Sequence, residues 1–447
     1  MQIYVHIPFC EQKCKYCSFN SSRQTEEVQA TYFFALNNEI KRTASILRKD
    51  KKNMDIETIY IGGGTPSAVK AEFITNLLSV ITSNFSVSKT AEITIEANPN
   101  SIAVEKLSAY IHSGVNRISF GAQSFDDNAL KILGRTHNSA QIFQAVKTAQ
   151  EVGFKNISID LILGVNKINN LEENIKILKN NGLTHISAYM LMLEENTPLK
   201  YEVEQGQTKV LNEDESVEEY EKVCKVFERN GYKRYETSNF SIKGYESKHN
   251  MGYWQMREYI GFGLSAHSYY ETKRFYNTES LSKYLQKNKD QNNFKKQPNF
   301  QNRAKSQIDL NNLKIIKNIQ KINIFDKKMQ KNIKLINFLQ KNNKKTENIN
   351  KIKFLFKGQT IFDNCEKLEN LTTNQQIEET IMLGLRTREG VEFRKLLNLG
   401  YDIKKERATQ LKNLQSLGAI KVDNKGVSIA PKFYGVQNQI ILKLLPE

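Results

Sequence analysis

The chain has few cysteines, one tryptophan and no long apolar run. No stretch approaches the roughly 18 uninterrupted apolar residues of a membrane span, which excludes a spanning helix. The start, MQIYVHIPF, has neither a basic stretch nor an extended apolar core, so no secretory signal is expected there. Only five cysteines occur in 447 residues. Three of them, Cys10, Cys14 and Cys17, share one short loop spaced C-x3-C-x2-C, which is not a scatter of core thiols. No second CxxC or close Cys/His pair follows, and a zinc site usually takes four ligands in two separated pairs. Cys224 and Cys365 are isolated and read as idle thiols.

Acidic residues are scarce in one place. Between Lys287 and Lys357 there are 19 Lys and Arg against 4 Asp and Glu. The formal charge of +17 therefore belongs mostly to that Asn-rich segment, which reads as a partly disordered insertion carrying some short helices. Binding of nucleic acid or of an anionic membrane surface by this segment is a third function class, but its aromatic residues are too sparse for base stacking.

Soft thiolates this closely spaced bind metal, and three of them suit a [4Fe–4S] cluster that keeps one iron open to another ligand. Reduced thiols fit the cytoplasm, since an oxidising compartment would pair them. Around the loop, β-branched runs alternate with amphipathic stretches. Strands are expected at Gln2–His6, Thr58–Ile61, Glu92–Glu96, Asn116–Phe120, Asn156–Leu161 and His185–Tyr189. Helices are expected over Glu26–Leu47, Lys70–Thr82, Val104–His112, Ser139–Val152, Leu171–Asn180 and Asp214–Asn230. Strict alternation implies parallel βα units with right-handed crossovers. The expected fold is α/β, a partial (β/α)6 TIM-like barrel over residues 1–285 with chemistry at the C-terminal strand ends. The insertion occupies 286–370. Residues 371–447 read as a small winged-helix-like α+β domain, with a helix through IEETIMLGLR, helices at Phe393–Leu399 and Lys405–Leu417, and a hairpin turning at Asn424-Lys425-Gly426.

The cysteine loop, followed by the second strand's Gly62-Gly63-Gly64-Thr65-Pro66-Ser67, resembles the radical S-adenosylmethionine (SAM) superfamily. Glycines at a strand end allow close backbone approach to a ligand. The resemblance implies that SAM chelates the open iron and that the protein binds SAM through Tyr4, Tyr16, Gly64, Thr65, Glu96, Gln123, Arg135 and Asp160. Each of these also has a structural explanation, as core packing, helix capping or surface pairing.

YVHIPFCEQKCKYCSF, IYIGGGTPS, GVNRISFGAQSFDDNALKILGRTH and YETSNF resemble the relatives of oxygen-independent coproporphyrinogen III oxidase, closest to their heme chaperone branch, the HemW family. The oxidase carries a fourth cysteine two residues after the third, where this chain has Phe19. It also has an N-terminal arm, for which this chain has no room ahead of Met1. His249-Asn250-Met251-Gly252-Tyr253-Trp254 matches the HNxxYW motif that the branch associates with heme, so His249 is the expected heme ligand. A buried structural histidine is the alternative, and His267 in GLSAHSYY is a second candidate. The resemblance implies a heme chaperone that passes heme or porphyrin to acceptor hemoproteins at the membrane. It would work in the cytoplasm or associated with the membrane, as a monomer or a dimer, with no specific nucleic acid. The alternative is the oxidase reaction, SAM-dependent oxidative decarboxylation of propionates. One departure from the family is Gly164-Val165-Asn166-Lys167-Ile168-Asn169, which stands where a Gly-Leu-Pro-Gly-Gln type loop is usual and leaves the substrate-side geometry open.

Overall fold

The computed structural model describes residues 1–50, 52, 54–289, 360–362 and 365–446. Through residue 190 strands and helices alternate: β1 (Gln2–Ile7), α1 (Glu26–Lys49), β2 (Asp55–Gly63), α2 (Ala71–Asn84), β3 (Ser86–Ala97), α3 (Val104–His112), β4 (Arg117–Gln123), α4 (Asp127–Ile132), α5 (Ser139–Val152), β5 (Asn156–Leu163), α6 (Leu171–Asn180) and β6 (Leu183–Met190). The six strands lie side by side in chain order and pair in parallel. This is the expected α/β partial barrel, in which consecutive right-handed units place neighbours in sequence side by side.

Local sequence sets the element ends. α1 starts where the Thr25 hydroxyl accepts from the Val28 amide. It buries Tyr32, Leu36, Ile40 and Leu47 along one stripe, the spacing of an amphipathic helix against a sheet. Asn138 and Asn212 form capping boxes with Gln141 and Glu215. They start α5 and α8 (Glu213–Arg229) by satisfying amides that have no intrahelical partner. β3 begins at Ser86, ahead of its apolar run, because Ser86 and Val87 also pair with Asp55 and Ile56 of β2 before the register shifts.

Beyond β6 the chain forms α7 (Pro198–Glu204), α8, β7 (Lys233–Arg234), β8 (Asn239–Ser241), α9 (Lys248–Trp254), β9 (Tyr259–Phe262), β10 (His267–Tyr270), β11 (Lys273–Tyr276), α10 (Leu281–Lys287) and β12 (Lys367–Asn370). β9 adds a seventh parallel strand against β1, which the sequence did not announce because it is four residues long and contains a glycine. The described sheet stays open, with β12 and β7 at its two edges.

The C-terminal part has its own core, including Ile377, Leu396, Leu411, Val427 and Ile441, and a three-stranded sheet that contains the expected hairpin. Asp423 fixes the turn by accepting from the Lys425 and Gly426 amides at 2.7 and 2.8 Å. The expected helix Lys405–Leu417 is instead two, Ile403–Glu406 and Ala408–Ser416. They break at Arg407, whose buried Nε donates to the Leu445 carbonyl at 2.7 Å. Residues 1–289 and 364–447 form one compact unit, tied by Arg274 to Glu379. The expected short helices of the Lys/Asn insertion lie outside the described residues. No described helix is long and apolar enough to cross a membrane.

Candidate functional site

The cysteine loop leaves β1 and is pinned at both ends. The Cys10 amide donates to the Ser22 carbonyl at 3.2 Å, and the Ser22 amide donates to the Pro8 carbonyl at 2.9 Å. In the middle, the Lys15 amide and carbonyl bond to Leu133 and Leu199, at 3.1 and 2.9 Å. Lys15 also pairs with Glu202. All three thiols are partly exposed and none forms a disulfide. Among the described residues, no three His, Cys, Asp or Glu side chains converge on a single ion. A [4Fe–4S] cluster spreads its thiolates over separate irons, and the donor set fits it.

The glycine run lies directly against this loop. The Gly64 amide donates to the Ile7 carbonyl at 2.9 Å, and the Thr65 amide to the Phe9 carbonyl at 2.8 Å. A Cβ on Gly64 would stand 2.8 Å from the Phe9 carbonyl oxygen and 2.9 Å from the Cys10 sulfur. Gly63 has φ +118°, and a Cβ there would meet the His6 ring at 2.7 Å, so neither position accepts a side chain. Gly64→Ala is expected to push the cysteine loop away. Reconstituted iron content should fall by more than half, with destabilisation of about 1–3 kcal/mol from overpacking. Full iron loading in that variant would show that the contact does not matter.

Around this cradle the strand ends bring together most of the expected SAM residues. Glu96, partly buried at the end of β3, accepts from the Tyr60 hydroxyl at 2.8 Å and the Gly63 amide at 3.1 Å. Burial, opposed by those bonds and reinforced by Asp160, pushes its carboxyl up to about 7. Asp160 on β5 takes the Ser119 hydroxyl at 3.2 Å, and burial raises it as well. Arg135 reaches the Cys14 sulfur with Nη1 at 3.3 Å, and with Nη2 it reaches Asn98 Oδ1 at 2.5 Å and the Gly121 carbonyl at 2.8 Å. It also bonds to Tyr16, while its Nε is buried without a partner. Gln123 takes φ +64°, a backbone region that non-glycine residues seldom enter. Its amide lies so close to Gly121 that a Cβ there would stand 2.8 Å from Nε2. The Tyr4 hydroxyl lies 3.0 Å from His6 Nδ1, and His6 Nε2 lies 3.1 Å from the Asn20 carbonyl. Carboxylates, amides and a guanidinium on neighbouring loops match the hydroxyls, amine and carboxylate of an adenosyl amino acid.

His249 stands apart from this group. On α9, it is 1% exposed, with Nδ1 2.8 Å from the Thr58 hydroxyl and Nε2 2.9 Å from the Tyr253 hydroxyl. Its amide donates to Glu92 at 3.0 Å, and burial lowers its basicity to a pKa of about 3. Thr58 and Glu92 precede Gly62 and Glu96 by four residues, roughly 13 Å of strand. His249 therefore packs at the N-terminal end of the barrel, with both ring nitrogens engaged. Tyr60 links the two layers, stacking on Tyr4 and on His249 while donating to Glu96. His267 is exposed on β10 and stacks on Tyr276 at 4.9 Å. The Gly164–Asn169 loop holds its shape without proline. Val165 and Ile168 are buried, and the Ile168 amide donates to Glu219 at 2.7 Å.

Sequence reasoning passed over Asn98, Arg117, Tyr60 and His6. Arg117 is 1% exposed inside the barrel, facing the charge of Glu92 and Asp160. An arginine at the start of RISF looks like a solvated strand end until the curved sheet surrounds it. Asn98 is two residues past Glu96, and that closeness in the chain was the only available signal.

A family model described as the radical SAM superfamily matches residues 4–176, and one described as the HemN C-terminal domain matches residues 371–432. The chain is 36% identical over 285 residues to the heme chaperone HemW of Bacillus subtilis, covering 63% of this chain and 74% of that protein. It is 35% identical over 272 residues to HemW of Escherichia coli, covering 60% and 69%. It is also 34% identical over 267 residues to the mitochondrial radical S-adenosyl methionine domain-containing protein 1 of Danio rerio, covering 59% of each. Among solved structures, the coproporphyrinogen III oxidase HemN of Escherichia coli superposes with a TM-score of 0.69 at 19% identity, over 99% of this chain and 89% of that one. At that identity the match speaks for the fold alone.

Proposed function

The chain belongs to the HemW family of the radical SAM superfamily, and from that premise we propose that it is a heme chaperone. On this reading it holds a [4Fe–4S] cluster on Cys10, Cys14 and Cys17 and binds SAM over the C-terminal strand ends. It carries heme in the cytoplasm to acceptor hemoproteins such as membrane-bound respiratory cytochromes. The observation that carries the choice of branch is Phe19. It is 66% exposed and stands where the oxidase has its fourth cysteine.

When bound, the cluster and SAM supply one-electron chemistry that no side chain provides. The chain's own part is to hold and orient. Gly63 and Gly64, with no side chains, let the end of β2 pack directly against the cysteine loop and leave room there for a ligand's polar end. Glu96 and Asp160 offer carboxylates to hydroxyls or an amine, and Arg135 offers its guanidinium to a carboxylate. Tyr4 and Tyr16 would contact the bound SAM or the cluster. His249 is the residue that would hold heme iron; to do so it would have to give up its contact with the Thr58 or the Tyr253 hydroxyl, which would require α9 to move.

The oxidase reaction is the second reading, favoured by the presence of the whole polar set around Glu96, Arg135 and Asp160. The two separate in one assay. Heme-loaded protein mixed with membranes containing an apo-cytochrome acceptor is expected to lose its heme to the acceptor. The same reconstituted protein should yield no protoporphyrinogen from coproporphyrinogen III under anaerobic conditions. Protoporphyrinogen formation without heme transfer would reverse the assignment.

A further inference from the structure

Asn98 joins donors to two of the three cluster cysteines, acting through Arg135 and Thr65, which are also expected SAM residues, and apart from the heme motif. Its Oδ1 accepts from Arg135 Nη2 at 2.5 Å, and Arg135 Nη1 continues to the Cys14 sulfur at 3.3 Å. Its Nδ2 lies 3.4 Å from Thr65 Oγ1, which in turn points at the Cys10 sulfur from 3.6 Å. The orientation of the amide is forced. A guanidinium only donates, so the atom facing Arg135 must be the oxygen, and the NH2 must face Thr65. With one proton lent by Asn98 to its oxygen, the Thr65 hydroxyl keeps its own proton for Cys10.

Asn98 is itself held firmly. Its backbone amide donates to the Ser67 hydroxyl at 3.0 Å and to the Ser101 hydroxyl at 3.2 Å, and the two hydroxyls bond each other. Lys106 adds bonds to the Ser67 and Ser101 carbonyls at 2.7 and 3.2 Å. One amide side chain thus fixes a cationic donor on one thiolate and a neutral donor on another. Each donor comes from a different loop.

We propose that Asn98 is a positioning residue that sets the reduction potential of the cluster, by orienting Arg135 toward Cys14 and Thr65 toward Cys10. The proposal rests on the reading of the three cysteines as cluster ligands. A donor aimed at a cluster sulfur withdraws electron density and stabilises the reduced state. Hydrogen bonds to sulfur and local charge are among the levers by which a protein sets such potentials. Losing the orientation of both donors therefore moves the midpoint to more negative values.

The test is a redox titration followed by electron paramagnetic resonance on the full chain, reconstituted anaerobically, with iron content measured in every sample. Asn98→Ala is expected to keep its cluster and titrate at a more negative midpoint than the unaltered protein. Arg135→Ala and Thr65→Val are each expected to shift it in the same direction. In the Arg135→Ala/Thr65→Val background, adding Asn98→Ala should produce no further shift, because the groups it acts through are gone. An unchanged midpoint in Asn98→Ala overturns the proposal, and so does a shift of equal size in the double-variant background. If Asn98→Ala fails to take up iron, Thr65→Val and Arg135→Ala decide the matter. Unchanged midpoints in both would refute the coupling. Absence of a cluster in the unaltered protein would instead refute the cluster assignment itself.

Discussion

Cys14→Ala is expected to lose essentially all cluster iron and its visible absorption while the apoprotein stays folded. The sulfur is partly exposed, on a loop tied down by backbone bonds from Lys15 to Leu133 and Leu199, so its removal leaves no large cavity in the core. Cys10→Ala and Cys17→Ala should give the same spectrum, since a cluster with one open iron has no spare thiolate. Cys224→Ala and Cys365→Ala should retain full iron. A residual cluster in any of the first three, measured by iron and sulfide content with absorbance near the thiolate-to-iron bands, would move the metal centre elsewhere.

Glu96→Gln is expected to separate stability from ligand binding. The folded protein holds the Glu96 proton more tightly than the unfolded chain does, because burial raises the carboxyl from 4.5 to about 7. A group raised in this way costs nothing below its unfolded value. It takes stability away as pH climbs through the folded one, to an upper bound on the order of 3 kcal/mol. Glutamine is neutral throughout. It can still accept from the Gly63 amide through its oxygen and offer its NH2 to the Tyr60 hydroxyl oxygen. Urea unfolding of the apoprotein should therefore show the variant near parity at pH 5 and more stable at pH 8. The same change should weaken SAM binding by about 10- to 100-fold, the usual worth of a charge-assisted bond. Equal stability gaps at both pH values would mean that folding does not raise the Glu96 carboxyl.

Much of this was legible in the sequence wherever the signal is local. The six parallel strands are β-branched runs flanked by long amphipathic helices, and their order follows from the handedness of the crossovers. The cysteine spacing and the glycine run each sit within one loop, so the contact between Gly64 and Cys10 needed only two adjacent strands. Less legible was anything set by register across the sheet. Asn98 meets Arg135 because β3 and β4 lie side by side in a particular alignment, and no spacing along the chain encodes that. Arg117 reads as a surface charge, yet it lies inside a barrel whose interior is lined by Glu92, Tyr60 and Asp160. The HNxxYW motif points to His249, but a motif does not say which end of the barrel a helix will cover. Burial of both His249 nitrogens follows from Thr58 on β2 and Tyr253 one turn away. The break at Arg407 comes from a tertiary bond to Leu445, which helical periodicity over 405–417 cannot reveal.

Heme titration of the anaerobically reconstituted protein, followed at the Soret band with His249→Ala and His267→Ala alongside, tests the central claim most directly. The account predicts one heme per chain in the unaltered protein, with binding lost in His249→Ala and kept in His267→Ala. Heme bound equally well by His249→Ala and lost in His267→Ala would keep the chaperone and move the ligand to the exposed imidazole on β10. No stoichiometric heme binding by the unaltered, cluster-loaded protein would contradict the account.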